Sequence, residues 1–209
     1  PDAPAEEFEF TTEKMSTSGA LFDLNKLNDV SKNTLIKISA SDLYDFLLKW
    51  SEEFNHEFFD LIKVRKDYLL KILDLDRTGN KPRKDFVSAS QIFDFISYFF
   101  DEYFSVEDEM PQETQDDVKT ILSEYLKTYN QSDDPETWFG KIREISVALG
   151  YAAKPKDFKK NPDTYKGHVG HVSTVIRIAL TGRKQSPDIW QIQQILGEEK
   201  TKSRISAFL

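Results

Sequence analysis

Apolar residues recur along this chain at the three- and four-residue spacing of a helix, and no eleven-residue window reads better as strand alternation. That periodicity restricts the chain to an all-α fold. Ser41 precedes Asp42, Leu43, Phe46, Leu47 and Trp50, which predicts a capped amphipathic helix. Phe58, Leu61, Ile62, Tyr68, Leu69 and Ile72 predict another, ending near Asp76-Arg77-Thr78-Gly79-Asn80. Between residues 85 and 104 the apolar stripe (Phe86, Ile92, Phe93, Phe95, Ile96, Phe99, Phe100) is too broad for one exposed face and predicts a central helix. Val118 to Tyr129 gives a further amphipathic helix, preceded by a helix start near Gln112. Ser132-Asp133-Asp134-Pro135 caps a helix from Glu136 to Leu149, with Gly150 just beyond its end. Lys154–Gly167, with two prolines, reads mostly as loop. Val172 to Leu180 forms a buried helix stopped by Gly182, Ser186-Pro187 starts the next, and a last helix covers Glu198 to Phe208. Only 8 Gly and 8 Pro occur, too few for a turn-rich sandwich or barrel.

Cysteine is absent, which removes disulfides, thiolate metal sites and cysteine nucleophiles. Sixteen Phe and 13% aromatic residues belong to a globular chain rather than a disordered one. No apolar run approaches the ~20 residues of a membrane helix and no signal peptide opens the sequence, so a cytoplasmic location without a membrane partner is expected. The first residue is Pro rather than Met, which suggests a fragment or processed product.

The net charge of −8 argues against a generally basic nucleic-acid binder, but it hides a segregated distribution. Lys63–Lys84 carries eight basic residues against three acidic; Asp101–Thr137 carries twelve acidic against two basic; Lys154–Lys184 carries eight basic against two acidic. Two basic segments thus flank an acidic one, consistent either with solvated helix faces or with a polyanion-binding surface.

Several spellings of known motifs lack the chemistry that would make them work. Lys14-Met15-Ser16-Thr17-Ser18 resembles the ATP loop of class I aminoacyl-tRNA synthetases, but Thr17 replaces the second lysine and only thirteen residues precede it. Asp74 to Asp85 has the opening positions of a calcium loop, yet four basic residues and Pro82 lie within it. His168 and His171 have helical spacing, but no cysteine or carboxylate–histidine cluster joins them, so no metal site is expected. Serine-hydrolase, phosphate-loop and dinucleotide signatures are absent, and no acid–base pair stands out among 36 carboxylates. No catalytic residue is expected in this chain.

The most informative stretch runs from His171 to Gly182, followed by Ser186-Pro187 and Leu196-Gly197. It places one cation, Arg177, on an otherwise apolar helix, and a new helix start whose free N–H groups suit a phosphate or base edge. A plain helical core with Arg177 paired to a carboxylate would look the same.

Ile176-Arg177, Ala179-Leu180-Thr181-Gly182, Ser186-Pro187 and Leu196-Gly197 resemble the C-terminal anticodon-binding region of bacterial glutamyl-tRNA synthetases. Phe22-Asp23-Leu24-Asn25-Lys26-Leu27 is similar to the segment opening that family's helical stem-contact subdomain. The family often has Gln-Pro where this chain has Thr174-Val175, and Trp-x-Asn where it reads Asn28-Asp29-Val30-Ser31. The resemblance implies two helical subdomains forming an anticodon-binding cage: a linker over 1–17, a stem-contact and anticodon-binding subdomain over 18–104, and an anticodon-binding subdomain over 105–209. It implies tRNA-Glu as partner, with tRNA-Gln left open, and a monomer that binds no DNA. Arg177 would contact base or phosphate, Ser186 a base edge, and Pro187 and Ile189 an unstacked base, with Arg183 and Lys184 on the backbone. Arg83 or Lys84 would serve similarly in the first subdomain, and the acidic stretch 101–137 would face away from RNA. ATP and magnesium would serve the parent enzyme, which joins glutamate to tRNA through a glutamyl-adenylate, in a domain this chain lacks. The rival expectation is a helical protein-interaction scaffold without RNA function.

Overall fold

The computed structural model describes Glu9, Thr11–Lys14 and residues 22–77 and 82–209. Among these residues the regular structure is helical throughout, with one isolated parallel bridge between Ala152 and His168 and no strand. The sequence spellings at Met15–Ser18 and Ser18–Leu21, and Thr78–Lys81 of the calcium-like loop, lie outside the described residues.

The chain begins with α1 (Leu24–Leu35), capped by the Asp23 side chain, which accepts from the N–H groups of Asn25 and Lys26. α1 buries none of its side chains; the guanidinium of Arg77 holds its far end, donating to the carbonyls of Leu35 (2.6 Å) and Ile38 (2.7 Å). α2 (Ala40–Phe54) starts two residues earlier than predicted, because Ser39 rather than Ser41 is the cap; its hydroxyl accepts from the Asp42 N–H at 3.1 Å. The single helix predicted over 58–72 is two: α3 (His56–Lys63) and α4 (Lys66–Leu73), separated at Val64-Arg65. Arg65 makes the break stable by donating to the Leu61 carbonyl at 3.0 Å and to Glu102 at 3.0 Å. The central helix predicted between 85 and 104 shortens to α5 (Ala89–Ile96) and then tightens into 3-10 turns over Ser97–Phe99 and Asp101–Tyr103. That coil lets Tyr98, Phe99 and Phe100 all turn inward, which the spacing of a continuous helix forbids.

A 3-10 segment (Gln112–Asp117) leads into α6 (Val118–Thr128). α7 (Pro135–Ala148) forms almost as predicted, with Asp134 accepting from Glu136 and Thr137 and Gly150 left-handed past its end. The stretch predicted as loop contains a short α8 (Pro155–Lys160). α9 (Val169–Thr181) is the most buried helix: eight of its residues are buried, and Gly182 ends it at φ 74°. α10 (Ile189–Leu196) and α11 (Glu198–Ser206) complete the fold. α6, α7, α10 and α11 surround α9 or its partners, while α2, α3 and α4 pack on one another; α10 also touches α4. The apolar residues of both groups join in one core running from Leu43 to Ile205.

Candidate nucleic-acid interface

Two loops distant in sequence meet where α4, α9 and α10 come together. One is Pro82–Ser88, leading into α5; the other is Gly182–Asp188, between α9 and α10. Arg83 grips Asp85 through two 2.9 Å bonds and donates from Nη1 to the Ser186 carbonyl. Arg177, projecting from α9, also donates to that carbonyl (3.1 Å), to the Ser186 hydroxyl and to the Pro187 carbonyl (2.9 Å). Two guanidiniums therefore converge on one peptide oxygen. Burial, and then the neighbouring charge of Arg83, pull the Arg177 pKa below its ordinary value, with Asp188 opposing; the group stays cationic at neutral pH.

These contacts change what the sequence predicts for this turn. Ser186-Pro187 does not open the helix; Asp188 is the cap, accepting from the Gln191 N–H at 2.9 Å. The Ser186 hydroxyl is committed to Arg177 and to the Pro187 carbonyl, and Ser186 is itself buried. Pro187 is buried, and Ile189 is 3% exposed within the core. In this conformation Ser186, Pro187 and Ile189 therefore shape the turn from beneath, and none offers a face to a base. Asp188-Ile189-Trp190-Gln191 has the spelling of a capping box, the signal that could have placed the helix start correctly.

Arg183 is clamped by Glu107 through bonds of 2.9 and 2.7 Å, and it reaches the Phe95 carbonyl and the Ser97 hydroxyl while lying over the Tyr98 ring. Asp108 accepts from the Lys184 backbone N–H at 2.6 Å. Part of the acidic stretch, Glu107 and Asp108, thus packs against this turn and neutralises Arg183, and its first carboxylates pair with Lys200 and Arg204 (Asp101) and Arg65 (Glu102). Further along, Asp117 pairs with Lys166 and Asp133 with Lys141. The ammonium groups of Lys84 and Lys184 form no ion pair among the described residues, and both residues are exposed; Lys84 reaches only Asn33 on α1. Arg65 and Lys66, which belong to the first basic segment, are engaged elsewhere, with Glu102 and Asp45.

At the other end of α9, His168 and His171 stack with ring centroids 3.9 Å apart. His168 Nδ1 accepts from the Gly170 N–H at 3.0 Å and His171 Nδ1 faces the His168 N–H at 3.4 Å, so both Nδ1 atoms act as acceptors at the helix start. Both Nδ1 atoms being committed, the pair is not arranged as a chelate; among the described residues no group of three or more His, Cys, Asp or Glu is placed to hold a metal. Burial, then the adjacent His171, lower the His168 pKa from 6.5, with Glu113 opposing. A depressed base binds fewer protons folded than unfolded, so its contribution is complete above pH 6.5 and is lost as pH falls through its folded value. Thermal unfolding between pH 7.5 and 5 should show a falling Tm that flattens in His168→Asn, whose amide caps without titrating. Parallel profiles for the two proteins would refute the assignment. Asp101 and Asp117 titrate in a lower window: burial is outweighed by Arg204 and Lys200 at the first, and Lys166 lowers the second.

The family follows from comparison with known proteins. The sequence profile described as "Anticodon binding domain" matches residues 42–209, and the chain belongs to that family. Its relatives are more particular. It is 56% identical over 210 residues to a glutamate–tRNA ligase of Acetivibrio thermocellus, using all of this chain and 38% of that protein. It is 43% identical over 215 residues to one of Clostridium beijerinckii, using 39% of that protein. The chain thus spans about two fifths of the length of these relatives. A solved glutamate tRNA ligase from Elizabethkingia meningosepticum, in complex with its amino acid, shares the fold at a TM-score of 0.57 and 18% identity, covering 95% of this chain and 34% of that one. No described helix is long and apolar enough to cross a membrane.

Proposed function

We propose that this chain is the anticodon-reading part of a glutamate–tRNA ligase and that its partner is tRNA-Glu. The observation that carries the reading is the seam where Arg83 and Arg177 meet on Ser186, with the ammonium groups of Lys84 and Lys184, unpaired with any carboxylate among the described residues, on the same two loops. Single-stranded anticodon bases need edges and backbone held together, and free cations next to a preformed turn supply the backbone share. On this reading Lys84 and Lys184 take phosphates, Arg177 and Arg83 fix the turn while presenting their remaining N–H groups, and Arg183 contacts RNA only by exchanging Glu107 for it. The division of labour between residues 18–104 and 105–209 belongs to the same proposal. Glutamate attachment, ATP and magnesium belong to the longer ligase outside this chain, which acts as a cytoplasmic monomer.

Binding of this chain to tRNA-Glu transcript, compared at ~50 and ~200 mM salt with an anticodon-substituted transcript, tests the reading by counterion release. The wild type should weaken with salt and prefer the intact anticodon by roughly 1–3 kcal/mol, as one mismatched contact costs in DNA sites. Lys84→Ala and Lys184→Ala should each reduce the slope of log K against log salt by about 0.7, with unchanged thermal stability. Binding that is indifferent to salt or to anticodon, or lysine variants indistinguishable from wild type, would overturn it.

A further inference from the structure

Asp76 is tied to both loops of the seam. Its backbone sits at φ 53°, the one described non-glycine residue in the left-handed region, which an aspartate tolerates at modest cost. Its carbonyl accepts from the Arg83 N–H at 2.8 Å and so sets where the Arg83–Lys84 loop begins. Its carboxylate reaches the other loop: Oδ2 accepts from the Asp188 N–H at 2.9 Å and Oδ1 from Gln191 Nε2 at 2.8 Å. Asp188 is the cap of α10, so one carboxylate fixes the first turn of that helix from outside. Its neighbour Arg77 simultaneously holds the end of α1. A non-glycine residue in the left-handed region, held by hydrogen bonds from two loops, is a pattern found where structure serves function.

We propose that Asp76 is a positioning residue for anticodon discrimination. It holds the Arg83–Lys84 loop and the Gly182–Asp188 turn in one register, so that groups from both loops address the same stretch of RNA. The inference rests on the function proposed above and adds a specificity determinant that touches no RNA itself. It requires that loosening the register costs discrimination more than affinity, because the phosphate contacts of Lys84 and Lys184 are flexible while a base edge needs fixed geometry.

Asp76→Asn keeps the left-handed backbone and one acceptor; Asp76→Gly keeps the backbone and removes the carboxylate. Two readouts on this chain separate the possibilities. In hydrogen exchange, the Asp188 amide should exchange roughly tenfold faster in Asp76→Gly, the scale of one lost bond to a charged acceptor. In tRNA binding, the preference for intact over substituted anticodon should fall roughly tenfold in Asp76→Gly and less in Asp76→Asn, while affinity for the substituted transcript stays within about twofold. Faster exchange with full discrimination retained would overturn the positioning role and leave the function standing. A wild-type chain without anticodon preference would overturn both. Equal losses on both transcripts, with a lowered Tm in both variants, would reduce Asp76 to a purely structural residue and overturn the proposal.

Discussion

Gly182→Ala should destabilise the chain by about 2–5 kcal/mol. Two costs add. At φ 74° an L side chain pays the left-handed penalty of roughly 1–2 kcal/mol. The new Cβ would also fall inside the van der Waals envelope of the Ser105 carbonyl oxygen, a backbone atom that cannot rotate away. Forced overpacking of this kind typically costs about 1–3 kcal/mol. Ser105 cannot retreat freely, because the adjacent Glu107 and Asp108 N–H groups both bond the Gly182 carbonyl, at 2.9 and 3.0 Å. Urea unfolding measures the loss, and two other glycines separate its parts. Gly150→Ala, at φ 88° with only the Lys166 side chain within 4 Å, should pay the backbone strain alone. Gly140→Ala, inside α7 with nothing near, should be neutral or gain up to ~1 kcal/mol. Equal losses at 182 and 150 would show that the Ser105 contact relaxes, and with it the clamp that places Glu107 on Arg183.

The same contrast, between what a residue needs locally and what it meets across the fold, sets how far the sequence could be read. Helices with local punctuation were legible: Asp134-Pro135 and Gly150 bound α7, and Gly182 ends α9, because caps and left-handed stops are short-range chemistry. The break at Val64-Arg65 was not, since Phe58, Leu61, Ile62, Leu69 and Ile72 keep an unbroken spacing through it, and the side chain that stabilises it finds Glu102 far along the chain. α1 was not singled out; its apolar residues Leu24, Leu27 and Val30 are exposed, so it contributes no buried residue to the core that the periodicity traces. At the seam, the candidates Arg83, Arg177 and Ser186 were legible as residues but not in their roles. Arg83 meets Ser186 across 103 positions, and Asp76 meets Asp188 and Gln191 across 112 and 115. Nothing in residue spacing reports such pairs, so Ile189 looked available to a base when it was needed for the core, and Asp76 looked like part of a calcium loop.

Arg177→Ala should cost about 2–4 kcal/mol and abolish anticodon preference together, because the guanidinium orders the turn it stands behind. All three of its hydrogen bonds leave from Nη1 and end on Ser186 and Pro187. Removing it takes away charge-assisted hydrogen bonds, each worth roughly 1.5–3 kcal/mol, though Arg83 continues to serve the Ser186 carbonyl and the Ser186 hydroxyl the Pro187 carbonyl. Arg177→Lys decides whether the residue also touches RNA. A single ammonium can satisfy part of the turn, so Tm should recover partially, but it lacks the planar fork whose Nε and Nη2 donate to nothing else among the described residues. If Arg177 contacts RNA through those groups, Arg177→Lys binds tRNA-Glu more weakly than its recovered stability would require, and its preference for the intact anticodon stays low. If the residue only builds the turn, stability and preference recover in proportion. Plotting the loss of anticodon preference against the loss of unfolding free energy for Arg177→Lys, Arg177→Ala and Lys184→Ala makes the distinction on one graph. Lys184→Ala, a phosphate contact, should lose affinity yet lie near wild type on this graph, Arg177→Ala should lose both preference and stability, and the position of Arg177→Lys off or on the line joining wild type to Arg177→Ala assigns the role.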